Sequence, residues 1–407
     1  MRFFFTRNRL WTVCKWCLLI VMLDSLKASF FWNLPIKFII PLLFIIIIIL
    51  IPEMFSFNKK TSFIIMLLYL ITVFWGRKGN INAYISTFIG AGGVLFFLGL
   101  KDIYKKEFLV FFTRFFSILV GISLFGWILF LLGVHLPSFY DTYGFSESRN
   151  EAQYIFQNYY IFLFWENKVN LIDSVIPRFS SVFLEPGYFG IILVILLYLN
   201  NFNFKKKSNI ILLIALAFTF SLASWLLAIF TYIAYYLRFS KKKFTTLLSI
   251  TFFLWVFYAF FSSYNNGENV INQLILQRIE YDDSKGSIAG YNRTKEDFED
   301  WFTTSFITSS NVFLGIDMYK IFGQTTNVGW KVYMVNYGVI GVLFYILFLF
   351  YSYYKHKNYQ CFIFFILYIL IFMRGHHIIY WSAFPILYLG GCVILKDNAE
   401  AIINLNK

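Results

Sequence analysis

Apolar runs close to the length an α-helix needs to cross a bilayer, about 20 residues, recur from one end of the chain to the other. "IKFIIPLLFIIIIIL" (36–50) and "YFGIILVILLYL" (188–199) are typical of them. Between the runs, Lys and Arg gather in short clusters: Arg2 to Lys15, "NKK" at 58–60, "KDIYKKE" at 101–107, "KKK" at 205–207 and again at 241–243, "KHK" at 355–357, and the tail after Lys396. Cytoplasmic loops have this look under the positive-inside rule. Successive inside segments must be joined by an even number of crossings. That demands a hairpin of two short spans between Lys207 and Lys241, turning near "FSLAS" (220–224), and another between Lys357 and Lys396, turning at "RGHH" (374–377). The expectation is an all-α polytopic membrane helical bundle of about twelve transmembrane helices, with 1–407 as one integral membrane domain and both termini cytoplasmic. One short outer turn, Arg77-Lys78, breaks the charge rule.

Two segments expected on the outer face are long, 136–184 and 263–328, and most of the acids fall in them. Long loops on a rigid scaffold are where chemistry is usually housed, so the working face is expected to be this one. Composition agrees with the pattern: 59% of residues are hydrophobic, 23% aromatic and 14% charged, against roughly a quarter charged in soluble domains. The net charge of +14 would suit nucleic acid, but its placement in clusters between apolar runs reads as topology instead, and no nucleic-acid partner is expected. Cys14 and Cys17 form a C-x-x-C inside an apolar helix with no second pair, so a zinc or redox role is not expected. Cys361 and Cys392 read as small core residues. The basic start "MRFFFTRNRLW" is followed by no small-x-small site, and reads as an uncleaved first helix.

Candidate chemistry sits first in "PRFSSVFLEPGYFG" (177–190). Pro186 suits the first turn of a helix, where its missing N–H costs nothing, and it pushes Glu185 toward an extended conformation. The helix start would then offer backbone N–H groups and a positive dipole end to an anion. Arg178 lies just upstream with a forked donor geometry matched to phosphate. The plainer alternative is that Glu185 caps the helix and Arg178 anchors at headgroups. In the second loop, Thr294 and Asp297 suggest a capping box, and Phe298, Trp301, Phe302 and Phe306 recur at helical spacing. This predicts an amphipathic helix lying in the interface and roofing the bundle, with Arg293 just before it. "DDSKG" (282–286) is no calcium loop, since its twelfth position is Arg293 where glutamate is needed. Adjacent His376 and His377 would diverge by about 100° on a helix and not ligate one metal together; either one is a proton acceptor or a structural histidine at headgroup level. No metal and no cofactor are expected.

The order of these features resembles the bacterial O-antigen polymerase and O-antigen ligase superfamily, over about 35–395 and most specifically from 178 onward. The matching elements are "RFSSVFLEPGYFG" leading into a span, the hairpin turning at Ser221 and Ser224, the loop with "YNRTKEDFEDWF" and "NVFLGIDMYK", and "TTNVGWKVYMVNYGVIGVLFYILFLF" (325–350). The last is similar to a family pattern of a His-Asn pair, a short helix, then "yGviG" opening a span. The resemblance implies a GT-C-like helical scaffold that transfers glycan from an undecaprenyl diphosphate carrier on the periplasmic face of the inner membrane, without a nucleotide sugar. Ligases of the family carry a histidine before the asparagine; here Thr326 precedes Asn327, and "FSLASW" lacks the arginine often found after that serine. Both departures favour a polymerase of repeat units.

The chemistry of such a transfer asks for cationic donors at a diphosphate leaving group and a general base for a sugar hydroxyl. Arg178, Arg293, Asn327 and Arg374 are the binding candidates. Glu185 is the first choice of base, with His376, His377 and Asp317 behind it. Tyr188, with Tyr140, Tyr143, Tyr159, Tyr160, Trp165 and Trp301, either stacks on sugar faces or belongs to an interfacial aromatic belt. The implied partners are lipid-linked donor and acceptor glycans, the bilayer and a chain-length regulator protein. Ligation of finished polymer to lipid A core, a flippase for lipid-linked oligosaccharide and a purely structural scaffold are the competing readings.

Overall fold

The computed structural model describes residues 7–32, 36–56, 60–75, 81–142, 155–165, 168–171, 174–239, 243–269, 271–282, 287–288, 294–322 and 329–405. The chain is mostly helical. Helices α1 (Arg7–Ser25), α2 (Ile36–Leu50), α3 (Lys60–Phe74), α4 (Ile81–Gly99) and α5 (Asp102–Leu131) come first, followed by α6 (Pro186–Leu199), α7 (Lys207–Phe218), α8 (Leu222–Phe239) and α9 (Lys243–Ser263). Three short helices, α10 (Glu296–Trp301), α11 (Asn311–Leu314) and α12 (Met318–Phe322), precede α13 (Trp330–Lys355), α14 (Tyr359–Arg374) and α15 (Ala383–Leu405). Among the described residues, α5 and α13 are each long and apolar enough to cross a membrane. The apolar helices α3, α6, α7 and α14 are shorter than that.

The fold is not purely helical. The segment 136–184, read from sequence as a loop, carries an antiparallel sheet in the order β1-β2-β3 (Phe139–Thr142, Ile155–Asn158, Leu163–Phe164) and a hairpin of β4 (Lys168–Leu171) and β5 (Ser174–Pro177). A shorter hairpin joins β6 (Tyr281–Asp282) to β7 (Ser287–Ile288).

Contacts group the chain into two compact units, Met1–Phe115 with Arg293–Lys407, and Phe116–Asn292. In the first unit the helix ends that carry basic clusters meet. Lys105 and Lys355 both reach Asp102, at 3.4 and 3.5 Å, and Lys106 pairs with Asp397 at 2.7 Å. Trp11 Nε1 donates to Glu107 at 2.7 Å, which brings the start of α1 to the same end. At the other end of these helices Ala383 N donates to Ser25 Oγ, Ser382 Oγ to the Gly90 carbonyl, and Trp75 Nε1 to the Tyr337 carbonyl. The hairpin between Lys357 and Lys396 turns at 375–382, which overlaps the 374–377 expected from sequence and runs five residues further. Aromatic side chains fill the core: Tyr368 and Tyr388 stand 4.6 Å apart, fully buried, and each donates its hydroxyl to a backbone carbonyl, Phe384 at 2.8 Å and Leu349 at 2.7 Å. A buried tyrosine needs such a partner for its polar tip.

The second unit is built around α6. All fourteen of its residues are buried, as expected of a helix that is apolar on every side. α7 and α8 pack on it and turn at 219–221, again where the basic clusters require a turn. The close approach of α8 is made at Gly190, where an added Cβ would stand 2.7 Å from Ser224 Cβ. Gly190→Ala is therefore expected to destabilise by about 1–3 kcal/mol through overpacking. Thermal unfolding in detergent should show the lowered Tm, and an unchanged Tm would mean that α6 and α8 are not in contact there.

Candidate functional site

In the second unit the structure begins α6 at Pro186, with Pro at the first helical position and Glu185 extended (φ −134°, ψ 123°). Glu185 is exposed and its side chain makes no capping hydrogen bond, so the plainer reading, a glutamate cap, does not describe it. Arg178 is half-buried. Its Nε–H donates to the Thr219 carbonyl at 2.8 Å, and the next residue repeats the link, with Phe179 N donating to the Phe218 carbonyl at 3.0 Å. These two bonds tie the arginine to the turn between α7 and α8 rather than leaving it to swing at headgroup level. The turn is itself stiffened by hydroxyls. Thr219 Oγ1 donates to the Leu216 carbonyl at 2.7 Å, and Ser224 Oγ lies 2.9 Å from Ser221 Oγ and 3.2 Å from the Gly187 carbonyl at the start of α6.

The stretch between Arg178 and Glu185 is held from the opposite side by the sheet. Leu163 N donates to the Ser181 carbonyl (2.9 Å), Ser180 Oγ to the Leu163 carbonyl (3.2 Å) and Ser181 Oγ to Ser123 Oγ of α5 (2.7 Å). Trp127 lies between Phe179 and Phe218, with ring centroids 5.5 and 4.9 Å away. Arg178 and Glu185 thus stand at the two ends of a segment pinned on α5, α6, the sheet and the α7–α8 turn. Tyr188 belongs to the packing instead: it is 7% exposed, in the first turn of α6. The other aromatic candidates divide. Tyr140 and Tyr160 are exposed, while Tyr159 is buried and stacks on Phe162 at 4.6 Å. Tyr143 lies outside the described residues.

In the first unit, Asp317 and Arg374 are both half-buried near the start of α13. The segment 315–318, which leads from α11 into α12, is bonded to α13, with Ile316 N donating to the Val335 carbonyl (2.6 Å) and Met318 N to Asn336 Oδ1 (3.2 Å). Gly329, with φ 117°, passes the end of α14, where a Cβ would lie 3.4 and 3.8 Å from the carbonyls of Met373 and Arg374. His376 and His377 form the first residues of a 3-10 turn, His376–Ile379, and so do not sit on an α-helix as the sequence reading assumed. Arg293 and Asn327 lie outside the described residues.

The amphipathic helix of the second loop is present, though short. α10 continues into a π-helical turn, Phe302–Phe306, and Phe298, Phe302 and Phe306 are buried with Met318, Val332 and Val335. Its apolar face packs on α13, with Trp301 half-buried beside Phe322. The capping box is not formed. The residue before the helix is Lys295, without a side-chain cap, and Thr294 Oγ1 donates instead to the Glu299 carboxylate. Glu299 also pairs with Lys331 of α13, whose ammonium lies 5.3 Å from the Phe302 ring. The sequence reading missed this pair. The signal was Lys331 itself, a lone basic residue opening a long apolar run, where a charge calls for an acidic partner.

No family model, curated protein or solved structure matches the chain.

Proposed function

We propose that the protein is a multi-pass glycosyltransferase of the bacterial inner membrane that polymerises undecaprenyl-diphosphate-linked oligosaccharide repeat units into O-antigen or a related surface polysaccharide on the periplasmic face. The observation that carries this reading is the pinned pair in the second unit: a half-buried arginine fixed on a turn, and an exposed, uncapping glutamate at the start of a buried helix. A lipid diphosphate leaving group needs positive charge held in place before the reaction. Arg178 and the dipole end of α6 supply it without a nucleotide sugar. An acceptor sugar hydroxyl attacks the anomeric carbon of the donor, the bond from that carbon to the diphosphate oxygen breaks, and undecaprenyl diphosphate leaves as the anion. The hydroxyl proton passes to the Glu185 carboxylate, which is exposed and so within reach of an acceptor.

The meeting of basic helix ends at one end of the first unit supports an orientation with that end, and both termini, in the cytoplasm. Twelve crossings and the periplasmic placement of 136–184 and 263–328 belong to the same proposal. The test is deletion of the gene and analysis of surface glycan. A lipid A core bearing a single repeat is the expected result. Bare core with polymer left on the carrier would assign ligation instead, and single units trapped inside the cell would assign transport.

A further inference from the structure

At the basic end of the first unit lies a small cavity that the proposed transfer does not use. It is lined by Ser62, Ile65, Leu98, Lys105, Ser352, Lys355, His356 and Leu389, and has room for about one water-sized particle. Two of its polar groups are conspicuous. Ser62 is 7% exposed and His356 is 6% exposed, and neither Ser62 Oγ nor His356 Nδ1 has a hydrogen-bond partner among the described residues. A buried polar group without a partner costs about 1–3 kcal/mol, so two of them facing one cavity call for an occupant.

The surroundings decide what kind. No carboxylate lines the cavity, whereas two lysines do, Lys105 at 3% exposure and Lys355. Their shared acid, Asp102, is 42% exposed in its side chain and sits outside the lining. Burial, with Lys355, Lys105 and Lys396 adding to it and Asp102 opposing, pushes the His356 imidazole down to about 4. The ring is therefore neutral at pH 7 and carries one N–H to donate. α3 and α5 both begin here, with Ser62 third in α3 and Lys105 fourth in α5, so two positive dipole ends face the site. The C-terminus of α13 opposes them with one negative end. Ser352 Oγ gives its hydrogen to the Phe348 carbonyl at 2.8 Å and does not donate inward. Ile65, Leu98 and Leu389 complete an apolar wall, which suits a weakly hydrated ion.

We infer that this cavity binds one small monovalent anion of halide size, held by Ser62 Oγ–H, His356 Nδ1–H and the ammonium groups of Lys105 and Lys355. The space excludes phosphate and larger oxyanions, and the two lysines exclude a cation. The site lies at the opposite end of α14 from Arg374, about 24 Å along the helix axis, and stands independently of the glycan-transfer reading.

The test uses the purified full chain in detergent at pH 7.5 and constant ionic strength, exchanging gluconate for chloride or bromide. Chloride and bromide are each expected to raise Tm saturably, by on the order of 1–3 °C, while gluconate, too large for the cavity, does not. Ser62→Ala and His356→Gln are expected to remove the saturable rise, and Lys357→Met, an exposed neighbour, to keep it. A bromide-soaked crystal should show an anomalous peak between Ser62 and His356. Equal Tm in all three salts, a saturable rise that survives in both Ser62→Ala and His356→Gln, or a peak absent from the cavity would each overturn the inference, leaving a bound water as its occupant.

Discussion

Gly338→Ala is expected to lower stability by roughly 3 kcal/mol or more. Gly338 interrupts α13 with φ 69° and ψ 178°, a backbone region essentially reserved for glycine and costing about 1–3 kcal/mol for any other residue. The second cost is steric. A Cβ there would run into the Phe313 carbonyl and stand 2.7 Å from Gly315 N, and both neighbours are backbone that no rotamer change can move. Relief would have to come from separating α11 and the 315–318 segment from α13, which breaks the bonds from Ile316 and Met318. Gly90→Ala is the control. It sits in α4 with nothing within 4 Å of the added atom, so it should be neutral or raise stability by up to about 1 kcal/mol. The measurement is tryptophan-monitored thermal unfolding of both variants in detergent. A wild-type Tm for Gly338→Ala would refute the packing of α11 on α13.

The same break shows how far the sequence reaches. The resemblance implies a short helix before "yGviG" and a span after it, and the structure has non-helical dihedrals at Gly338; what the sequence cannot show is that the break admits the backbone of 313–315, a partner more than twenty residues away. The two hairpin turns and the start of α6 were legible because their causes are local: basic clusters fix parity, and Pro186 fixes a helix start. The strands of 136–184 were not. β4 and β5 are four residues each with a two-residue connection, too short for alternation to stand out beside long apolar runs. Thr294 misled for a related reason. Its capping signature is local, but Glu299, held by Lys331 32 residues away, offers its hydroxyl a charged acceptor instead. At the candidate site the residue types were readable, Arg178 and Glu185 above all. The anchor of Arg178 was not, because a carbonyl 41 residues on leaves no mark in the sequence near it.

That anchor couples any functional test at Arg178 to a folding defect, and Glu185 is where the two separate. Arg178→Ala removes a hydrogen bond to the Thr219 carbonyl, worth about 1.5–3 kcal/mol for a charged donor, and is expected to lower both Tm and activity. Glu185→Gln is cleaner. The side chain is exposed and caps nothing, so the amide should fold with stability within about 0.5 kcal/mol of wild type. With Glu185 as the proposed base, loss of its carboxylate is expected to cost about 10²–10⁴-fold in rate. Cells carrying Glu185→Gln at normal membrane abundance are therefore expected to show single repeats in place of a long-chain ladder on a glycan-stained gel. Arg178→Lys, which keeps the charge but not the fork, should give a shortened ladder, since the planar guanidinium both grips Thr219 and matches a diphosphate. A ladder of normal length from Glu185→Gln would remove Glu185 as the base. A normal ladder from Arg178→Ala as well would remove the whole segment from the chemistry, and the pinned stretch 178–185 would then be a structural strap on α6.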